Sequence, residues 1–364
     1  MRSASKARVV IDARMLDTAG IGTYLTETLP RVIARLSPTP VTVLGDANRL
    51  DALLRHGLTV DIAEWSAPIY TLREQLEARR KIPPDTVLYW APHFNIPLSW
   101  QGALAVTVHD VAHLALRQSS VARSGYARLM FAAVRRRASV VLCDSHFTER
   151  ELHTRVGLPQ RTVVCHLGVA ERWFQLARPA KTGIPYFLYV GNVKPHKNLA
   201  RLLEAFACAA PRIPHHLVIA GRREGMRTVD SSSAVAAESL GDRVAFTGYL
   251  TPAQLEERVR ACDALVLPSL YEGFGLPPLE ALACGRAIAV SDAGSLPEVC
   301  GDEAEYFDAC NVADMARALE RIATRPPDTA AVVERRRAWA RRFDWETCAD
   351  VVAAELGRLL RQAS

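Results

Sequence analysis

Short apolar runs of strand character alternate with longer runs of helical periodicity along this chain, and they do so in two series. The first series runs from residues 8–11 to residues 140–143, and the second runs from 186–190 to 287–290. Strands that are separated by helices pair in parallel. The alternation therefore predicts an α/β fold with two doubly wound parallel sheets.

The length of the chain also favours two domains, because 364 residues exceed what one hydrophobic core comfortably holds. The break is best placed between Gly168 and Ile184, where residues 178–185 have the proline-containing, polar composition of a linker. The predicted limits are 1–170 for the first domain, 171–344 for the second and 345–364 for a closing helix.

Positive charge is concentrated in the first half of the chain. Residues 1–170 hold 21 Lys and Arg against 14 Asp and Glu, a net charge of +7, whereas residues 171–364 hold 24 against 25, a net charge of −1. Such asymmetry is typical of a region that meets phosphates, anionic lipid or nucleic acid.

Other features of the composition exclude several classes of protein. No uninterrupted apolar window is long enough to cross a bilayer, and the N-terminus leads into a predicted strand without the pattern of a signal peptide. The eight cysteines include no Cys-x-x-Cys pair, so we expect reduced thiols in the core rather than a disulfide framework or a zinc site. These features predict a soluble cytoplasmic protein.

A basic helix is predicted over residues 123–137, and it ends in three consecutive arginines. Its apolar side would consist of Tyr126, Leu129, Met130, Ala133 and Val134. A basic amphipathic helix can lie on an anionic membrane. The alternative is that the apolar side packs into the domain core while the arginines face solvent. We favour the second interpretation because most periodic apolar stripes face a core.

Residues 268–285 join an acidic, glycine-rich loop to the start of a helix, directly after a predicted strand over 264–267. Pro277 or Pro278 suits a first helical turn, and Gly285 stands where a helix would end. The unpaired amides and the dipole of a helix N-terminus attract a diphosphate, and glycines at 273 and 275 allow the backbone to approach a ligand. This segment predicts a phosphate and sugar site.

Two carboxylates accompany this phosphate site. Glu272 lies in the loop, and Glu280 is expected in the first helical turn. Carboxylates accept hydrogen bonds from hydroxyl groups, so one can hold a sugar and the other a ribose. Each residue alone also has a purely structural explanation, Glu272 as a solvated loop acid and Glu280 as a favourable charge at a helix start.

The segment resembles the Glu-x7-Glu signature of family 4 retaining glycosyltransferases. Further motifs in the same order extend the resemblance over nearly the whole chain: residues 19–24 (AGIGTY), 108–110 (VHD), 143–148 (CDSHFT), 190–198 (VGNVKPHKN) and 343–345 (FDW). The resemblance implies the GT-B fold, in which two Rossmann-like domains face each other across a cleft. It also implies that the terminal helix crosses back onto the first domain.

The resemblance assigns the nucleotide to the second domain. Residues 191–198 resemble the phosphate-clamping loop of the family, with Lys197 as the group that stabilises the leaving diphosphate. The family often has an arginine where this chain has Asn192, which leaves Lys194 or Arg222 to supply a second positive charge. Solvated loop lysines are the simpler explanation of both lysines. Base recognition is assigned by the same likeness to the turn at Tyr249, which packing against the next helix would explain equally well.

The first domain is expected to face the acceptor. Gly22, with Gly20, follows the first strand, so its amide can point towards a phosphate, although a simple turn would also need these glycines. His109 and Asp110 end an apolar strand at the edge where open α/β sheets bind ligands, and the matching histidine of the family approaches the donor sugar. Residues 91–95 can line an acceptor pocket or form only a proline-containing loop. Ser145 is predicted to cap a helix.

Together these assignments predict a retaining, metal-independent hexosyltransferase without a cofactor. The predicted catalytic residues are His109, Lys197 and Glu272. The predicted donor-binding residues are Gly22, Asn192, Lys194, Lys197, Tyr249, Glu272, Gly273, Phe274, Gly275, Leu276 and Glu280. Residues 11–14 (IDAR), followed by 20–24, look most like bacterial polysaccharide mannosyltransferases, which implies GDP-mannose or a GDP-deoxysugar as donor, with a UDP-hexose as the alternative.

The expected partners are the nucleotide sugar and an acceptor that is a growing glycan or a lipid-linked saccharide. Peripheral contact with the anionic inner face of the cytoplasmic membrane is also expected, and nucleic acid is not an expected partner. A glycoside hydrolase would also use two carboxylates, but it needs no phosphate clamp. A non-catalytic protein that binds nucleotide sugars or nucleic acid is the alternative of a different class, motivated by the basic first half.

Overall fold

The computed structural model describes residues 7–55, 57–116, 121–176, 183–221 and 240–363, with the backbone alone at 121–123. The predicted linker residues 178–182 and Arg222 lie outside the described residues. The chain divides into two compact units. The N-terminal unit extends to Gly168 and includes the residues from Asp344 onward, and the C-terminal unit is Val169–Phe343.

The N-terminal unit is built on a seven-stranded parallel sheet of order β3-β2-β1-β4-β5-β6-β7. Its strands are β1 (Arg8–Asp12), β2 (Val41–Gly45), β3 (Asp61–Glu64), β4 (Thr86–Ala91), β5 (Ala103–Val108), β6 (Val140–Cys143) and β7 (Thr162–Val164). Central strands of such a sheet are covered on both faces and so consist of continuous apolar residues. Val9, Val10 and Ile11 of β1 illustrate this, since none of them is exposed.

Helices connect these strands, as the alternation in the sequence predicts. The described helices before Gly168 are α1 (Ile21–Leu36), α2 (Ala47–Leu54), α3 (Leu72–Lys81), α4 (Ala112–Ala115), α5 (Val121–Arg137) and α6 (His146–Arg155). Ser145 caps α6, as predicted, because its side chain accepts a hydrogen bond from the Thr148 amide.

The C-terminal unit contains a six-stranded parallel sheet of order β10-β9-β8-β11-β12-β13. Its strands are β8 (Tyr186–Val190), β9 (His216–Ala220), β10 (Val244–Gly248), β11 (Ala264–Leu267), β12 (Ala287–Ser291) and β13 (Ala304–Phe307). Its described helices are α7 (Glu171–Gln175), α8 (Leu199–Ala209), α9 (Pro252–Ala261), α10 (Leu276–Ala283), α11 (Leu296–Cys300), α12 (Val312–Thr324) and α13 (Ala330–Ala340). The prediction of two doubly wound parallel sheets is confirmed.

The last helix, α14 (Trp345–Ala363), belongs to the N-terminal unit and packs along α1. Arg31 donates to Glu346 at 2.8 Å, and Arg35 donates to Asp350 at 2.6 Å. Exposed ion pairs of this kind contribute at most about 1 kcal/mol each. Burial of the apolar side of α14, which begins with Trp345, contributes more to holding the helix in place.

The two sheets share one strand order, in which the first and fourth strands of each unit are neighbours and the connections run in opposite directions from them. Ligands of open α/β sheets bind at the carboxyl ends of the strands at this point. In the N-terminal unit the point lies between β1 and β4, and in the C-terminal unit it lies between β8 and β11. The fold thus identifies one candidate edge in each unit.

The structure decides between the two interpretations of the basic helix. The side chains of Met130, Ala133 and Val134 on α5 are buried, which confirms that its apolar side packs into the core. The assignment of Leu129 to that side is wrong, because its side chain is 54% exposed. Leu129 directly precedes Met130, so the two side chains point about 100° apart around the helix axis and cannot both face the core centre.

Two further observations concern the predictions from composition. Among the described residues, no helix combines the length and the apolar character needed to span a membrane. All eight cysteines are free, and six are buried as predicted. Cys208 and Cys310 are exposed, so the prediction of core thiols is wrong for these two.

Candidate functional site

The candidate edge of the C-terminal unit brings two predicted site residues into contact. Lys197 lies in the loop after β8, and Glu272 lies in the loop after β11. The Lys197 Nζ atom is 2.7 Å from Oε1 and 2.9 Å from Oε2 of Glu272. The Lys197 side chain is 23% exposed and that of Glu272 is 11% exposed. A partly buried ion pair therefore lies at the edge where open α/β sheets bind their ligands.

Neighbouring polar groups hold Glu272 in one orientation. The Ser269 hydroxyl donates to Glu272 Oε1 at 2.5 Å. The amide and the hydroxyl of Ser295 both donate to the Glu272 carbonyl, each at 3.1 Å. Gly294 has a φ of 68°, and a Cβ atom there would lie 2.6 Å from the Glu272 carbonyl oxygen. Only glycine allows this close approach of the two backbones.

The two loops are also joined through their backbones. The Leu270 amide donates to the His196 carbonyl at 2.7 Å. Asn198 adopts a left-handed conformation, with φ 58° and ψ 30°, which asparagine tolerates better than most residues. Its side-chain amide donates to the carbonyls of Pro268 and Ala309 at 2.9 and 2.7 Å. Asn198 thereby fixes the backbone position of Lys197 relative to the ends of two strands.

The helix after the acidic loop begins at Leu276, so Pro277 and Pro278 lie in its first turn as predicted. Gly275, with φ 108°, is the N-cap residue of α10, and Leu276 is the first helical residue. Of the four amides that a helix N-terminus leaves unpaired, Pro277 and Pro278 supply none. The donors that remain in this turn are the amides of Gly275 and Leu276.

The start of α10 at Leu276 sets the turn in which Glu280 lies. Glu280 is the fifth residue of α10 and lies in its second turn, so the prediction of a first-turn acid is wrong. The error follows from Gly275, whose positive φ starts the helix before Pro277. The pKa of the Cys284 thiol is raised to about 12, mainly by burial and secondly by the nearby Glu280 carboxylate. Glu280 is partly buried.

The other predicted donor-binding residues lie at this edge in different environments. Asn192 and Lys194 are exposed in the loop after β8. Tyr249 follows β10 directly, and its side chain is 67% exposed. Phe274 is buried, with its ring centroid 5.8 Å from that of Phe343, so its side chain packs within the unit. Gly273 precedes it in the same loop.

In the N-terminal unit, His109 is paired with a residue that the sequence reasoning missed. His109 Nδ1 is 2.7 Å from Asp144 Oδ2, and Nε2 is 2.9 Å from the Pro92 carbonyl oxygen. The adjacent Asp110 instead accepts a hydrogen bond from the Ala112 amide at 2.8 Å. His109 therefore contacts Asp144 and not the adjacent Asp110, because β5 and β6 are neighbours and bring Asp144 to His109.

The geometry requires a proton to be held between His109 and Asp144. A carbonyl oxygen only accepts, so Nε2 must donate to Pro92, and one more proton must lie between Nδ1 and the carboxylate. Burial opposes a charge on His109, but the Asp144 carboxylate outweighs this and raises the pKa of His109. Burial also raises the pKa of Asp144, against the opposing effect of His109. Both shifts favour retention of the proton.

The candidate edge between β1 and β4 carries a second cluster of polar side chains. Arg14 donates to Asp12 at 2.7 Å and to Glu74 at 3.0 Å. Glu74 also accepts from the Asn95 side chain at 2.8 Å and from the Tyr126 hydroxyl at 3.2 Å. Each charged group of this cluster is paired or hydrogen-bonded inside the unit, with one cation facing two carboxylates.

A small cavity of about 10 Å³ adjoins this cluster and is lined in part by Asp12, Arg14, His93 and Asn95. Burial lowers the pKa of His93 to about 3, so its ring is neutral. The Asn95 amide donates to His93 Nδ1 at 2.7 Å, which places the single ring proton on Nε2. Among the described residues, Nε2 has no hydrogen-bond partner. A cavity of this size has room for about one water molecule, whose oxygen can accept this hydrogen bond.

Gly22 does not offer the amide that the sequence suggests. Its amide donates to the Thr18 carbonyl at 2.7 Å, and the Ile21 amide donates to Ala19 at 2.7 Å. A phosphate would have to displace the Thr18 carbonyl to reach Gly22.

The residues that sequence reasoning missed orient the predicted ones. Ser269 lies in the acidic segment 268–285, and Asp144 lies in the motif 143–148. The sequence therefore contains a signal for both residues. Ser295 carries no signal of its own, because its contact with Glu272 depends on how the loops after β11 and β12 pack.

Comparisons with known proteins show similarity to glycosyl transferases. A family model described as "Glycosyl transferases group 1" matches residues 172–341. Serotype-specific mannosyltransferase WbdA of Escherichia coli is 32% identical over 185 residues, which are 49% of this chain but only 22% of that protein. O-antigen chain mannosyltransferase B of Escherichia coli is 29% identical over 294 residues, which are 78% of this chain and 71% of that protein.

Solved structures support the same fold over the full length. The structure of sucrose-phosphate synthase from Thermosynechococcus elongatus matches with a TM-score of 0.75 at 20% identity, and the match covers 98% of this chain and 100% of that chain. At this identity the match speaks for the fold alone, and that fold is GT-B.

Proposed function

We propose that this chain is a group 1 glycosyl transferase, whose family model matches residues 172–341, and that it moves a hexose from a nucleoside diphosphate sugar to a hydroxyl of a growing glycan. The observation that carries the proposal is the contact of Lys197 with Glu272 at the edge between β8 and β11. One cation, one oriented carboxylate and the amides of Gly275 and Leu276 are the groups that a sugar diphosphate needs there.

The proposed reaction separates charge at the diphosphate. The bond between the anomeric carbon and the β-phosphate oxygen breaks, and its electron pair leaves with the diphosphate. The acceptor oxygen forms the new bond on the same face, and its proton passes to the departing phosphate oxygen, so the configuration is retained. We assign stabilisation of the developing charge to Lys197 and the α10 amides instead of a metal ion, because preorganised donors can supply it.

Glu272 is proposed to orient the donor sugar. Its carboxylate offers about four acceptor positions. Lys197 and Ser269 use three of them, through two contacts and one contact respectively. A sugar hydroxyl can take the remaining position, and further positions become available when the diphosphate attracts Lys197. We keep Glu280 as the ribose ligand.

The remaining donor groups are assigned by their place at the same edge. Asn192 and Lys194 are proposed to contact the phosphates, and backbone groups at Tyr249 the base. Gly273 and the backbone of Phe274 belong to the same loop as Glu272. The Gly22 amide can join them only after it leaves Thr18.

On the acceptor side, we propose that His109 positions the loops after β4, β5 and β6. Both of its ring nitrogens are occupied, so the ring has no polar atom left for a sugar hydroxyl. The Nε2–H group of His93 has no partner among the described residues and is the better candidate to meet an acceptor oxygen.

We propose mannose, or a related deoxyhexose, as the transferred sugar, with GDP as the carrier. Support comes from the two mannosyltransferase relatives, one of which aligns over 78% of this chain. The name of that relative refers to an O-antigen chain, so we propose polysaccharide or lipopolysaccharide synthesis on the cytoplasmic side of the membrane. A UDP-hexose donor is the alternative within the same reaction.

The decisive experiment combines a donor screen with one variant. Purified protein is incubated with GDP-, UDP-, ADP- and dTDP-sugars, and thermal shift, donor hydrolysis and transfer are measured. Ligands that bind the folded state raise its apparent stability according to affinity, so we expect the largest shift with GDP-mannose. Release of GDP and sugar, or transfer to an added acceptor, identifies the enzyme. Binding without turnover under every condition would instead identify a non-catalytic sensor.

The variant is Glu272→Gln, which keeps the shape but removes the charge. We expect turnover to fall by about 10²- to 10³-fold, as for loss of a preorganised polar group in other active sites. Glu257→Gln, at an exposed position of α9, is the matched control and should keep wild-type turnover. Wild-type turnover in Glu272→Gln, with unchanged folding by circular dichroism, would refute the assigned site.

A further inference from the structure

Tyr70, in the loop between β3 and α3, holds its backbone in a left-handed conformation. Its φ is 63°, and among the described residues only Asn198 shares a positive φ without being glycine. Asparagine tolerates this region because its side chain is short and polar, whereas a bulky aromatic residue is strained there. Such strain persists only where the surrounding structure holds the residue in place.

The contacts that hold the Tyr70 ring are aromatic. The ring lies nearly parallel to the rings of His93 and Phe94, with centroid distances of 5.6 and 5.9 Å and interplanar angles of 23° and 30°. Tyr126 meets it edge-on, at 5.9 Å and 89°. His93 and Phe94 are buried, and Phe94 stacks in turn on buried Phe131 at 4.5 Å. The Tyr70 ring therefore rests on a rigid aromatic base.

The ring nevertheless keeps much of its surface open to solvent. Tyr70 is 42% exposed. Among the described residues, its hydroxyl has no hydrogen-bond partner. A ring that served only the core would be covered, because burial of an aromatic side chain stabilises the folded state. A ring that is held in a strained conformation and left open has the properties of a binding surface.

This open ring lies at the candidate edge of the N-terminal unit. Ile69, the residue before Tyr70, lines the small cavity at the edge between β1 and β4, and so does His93, on which Tyr70 stacks. Open α/β sheets bind ligands at this edge. A ligand at the edge therefore meets the exposed part of the Tyr70 ring.

The charges that act on Tyr70 are negative. Burial raises the pKa of the Tyr70 hydroxyl to about 12, and the carboxylates of Asp110 and Glu74 add to the rise. Glu74 is paired with Arg14. Asp110 has no ion-pair partner in the part of the chain that the structure describes, and its Oδ1 accepts from the Ala112 amide, which leaves Oδ2 for a ligand. These carboxylates repel an anion but accept hydrogen bonds from neutral hydroxyl groups.

From this arrangement we propose that Tyr70 is the stacking platform for a neutral hexopyranose of the acceptor. One face of a pyranose consists largely of C–H groups, whose partial positive charge matches the electron-rich face of an aromatic ring. Hydroxyl groups at the rim of the sugar donate to Asp110 Oδ2. The platform thus selects a ring-shaped and uncharged sugar, and it disfavours an open-chain polyol and a sugar phosphate.

The inference rests on the proposed function, because it takes the acceptor to be a saccharide. It goes further by naming the residue that binds the acceptor sugar and by excluding acidic sugars at that position. Binding of a saccharide is measured without any donor, so the two proposals can fail separately.

Saturation-transfer NMR on the full-length protein tests the contact. The probes are methyl α-mannopyranoside, mannitol, which keeps the hydroxyl groups but has no ring, and mannose 6-phosphate, which adds negative charge. We expect saturation transfer to the C–H protons of the methyl glycoside, and binding of the other two probes that is weaker by about tenfold or more. No transfer to the glycoside, or equal binding of all three probes, would overturn the proposal.

The strained backbone offers a variant that removes the ring without threatening the fold. Tyr70→Gly deletes the platform at a position where glycine adopts the positive φ freely, which offsets the lost ring contacts. Circular dichroism verifies that the variant is folded. We expect glycoside binding to weaken by about tenfold or more. Wild-type binding by folded Tyr70→Gly would show that another surface contacts the sugar.

Two matched variants separate the ring from other effects. Tyr70→Phe keeps the ring and should bind the glycoside within about threefold of wild type. Leu158→Ala alters a residue that is 73% exposed elsewhere in the same unit, and it should bind as wild type does. Equal loss in Tyr70→Phe and Tyr70→Gly would mean that the hydroxyl carries the contact, and the stacking assignment would be wrong.

Transfer kinetics distinguish failure of this proposal from failure of the proposed function. With the donor found in the screen and methyl α-mannopyranoside as acceptor, Tyr70→Gly should raise the acceptor KM by about tenfold or more and change kcat less. A wild-type acceptor KM in Tyr70→Gly would defeat the platform and leave the proposed function standing. Saccharide binding that depends on Tyr70, in a protein that turns over no donor, would support the platform and defeat the proposed function.

Discussion

The two units of this protein have sheets with the same strand order but opposite chemistry at the equivalent edge. Between β1 and β4, the edge is filled by charged side chains that pair with one another, with Arg14 between Asp12 and Glu74. Between β8 and β11, the edge is mainly backbone, with one ion pair between Lys197 and Glu272. The shared topology fixes where a ligand binds, and the local residues decide what can bind.

The difference concerns which groups remain available to a ligand. At the edge of the N-terminal unit, the Arg14 guanidinium is already engaged. It donates to the carboxylates of Asp12 and Glu74 and to the Ala67 carbonyl. At the edge of the C-terminal unit, the turn before α10 leaves the amides of Gly275 and Leu276 to bind an anion. We therefore propose the second edge for the sugar diphosphate and the first edge for a neutral acceptor.

The largest effect on stability is expected from Arg14. The Arg14 side chain is 6% exposed and that of Glu74 only 1%, so Arg14→Met leaves buried carboxylates without a counter-charge. Breaking a buried pair from one side costs about 3–5 kcal/mol in the free energy of unfolding. Urea denaturation measures this loss. The control is Arg73→Met, which breaks an exposed pair and should cost at most about 0.5 kcal/mol.

If Arg14→Met and Arg73→Met had equal stabilities, the charges between β1 and β4 would not be interdependent, and the contrast between the two edges would disappear.

The fold was predictable because its signals are local. The apolar strand runs and the acidic loop with Glu272 are read from short windows, whereas Lys197 was assigned through the resemblance of residues 191–198 to the phosphate-clamping loop of the family. Contacts between distant residues were less accessible. Asp144 was missed as the partner of His109 because 35 positions separate them and only the pairing of β5 with β6 unites them.

Errors of detail came from backbone conformation and from helix rotation. The turn that contains Glu280 depends on the positive φ of Gly275, which no periodicity reveals. Leu129 was placed on the buried side of α5 because a stripe of apolar residues does not state where its edge lies.

The edge of the C-terminal unit should respond to substitution in the opposite way. Lys197→Ala is expected to lower donor turnover by about 10²-fold or more, because the developing diphosphate charge loses its cation. Stability should change far less than in Arg14→Met, since the Lys197 side chain is 23% exposed and water can reach Glu272 when the lysine is gone. Parallel hydrolysis assays and urea denaturation measure both quantities.

Lys197→Arg is the matched variant, because it keeps the charge in a longer and planar group. It should recover part of the turnover. Equal loss in Lys197→Ala and Lys197→Arg, with wild-type stability, would mean that the geometry of the ammonium matters more than its charge.

At neutral pH the smallest expected effects are two opposite pH dependences within the N-terminal unit, which grow only as the pH moves away from neutrality. Burial lowers the pKa of His93 to about 3, from an ordinary value of 6.5, so the folded state binds its proton more weakly than the unfolded state. Stability from this residue is present above pH 6.5 and is lost as the pH falls towards about 3. The charged groups that act on the His93 ring are Asp12, Arg14 and His109.

His109 behaves in the opposite sense. Burial lowers the pKa of His109, but the Asp144 carboxylate outweighs burial and raises this pKa above its ordinary 6.5. The folded state therefore holds the proton more tightly than the unfolded state. Its contribution is full below pH 6.5 and is lost as the pH rises through the raised pKa. Unfolding temperatures measured across pH should therefore fall on the acid side through His93 and on the alkaline side through His109. His93→Gln should flatten only the acid limb, and His109→Gln only the alkaline limb; the reverse assignment would show that the proton lies elsewhere in this network.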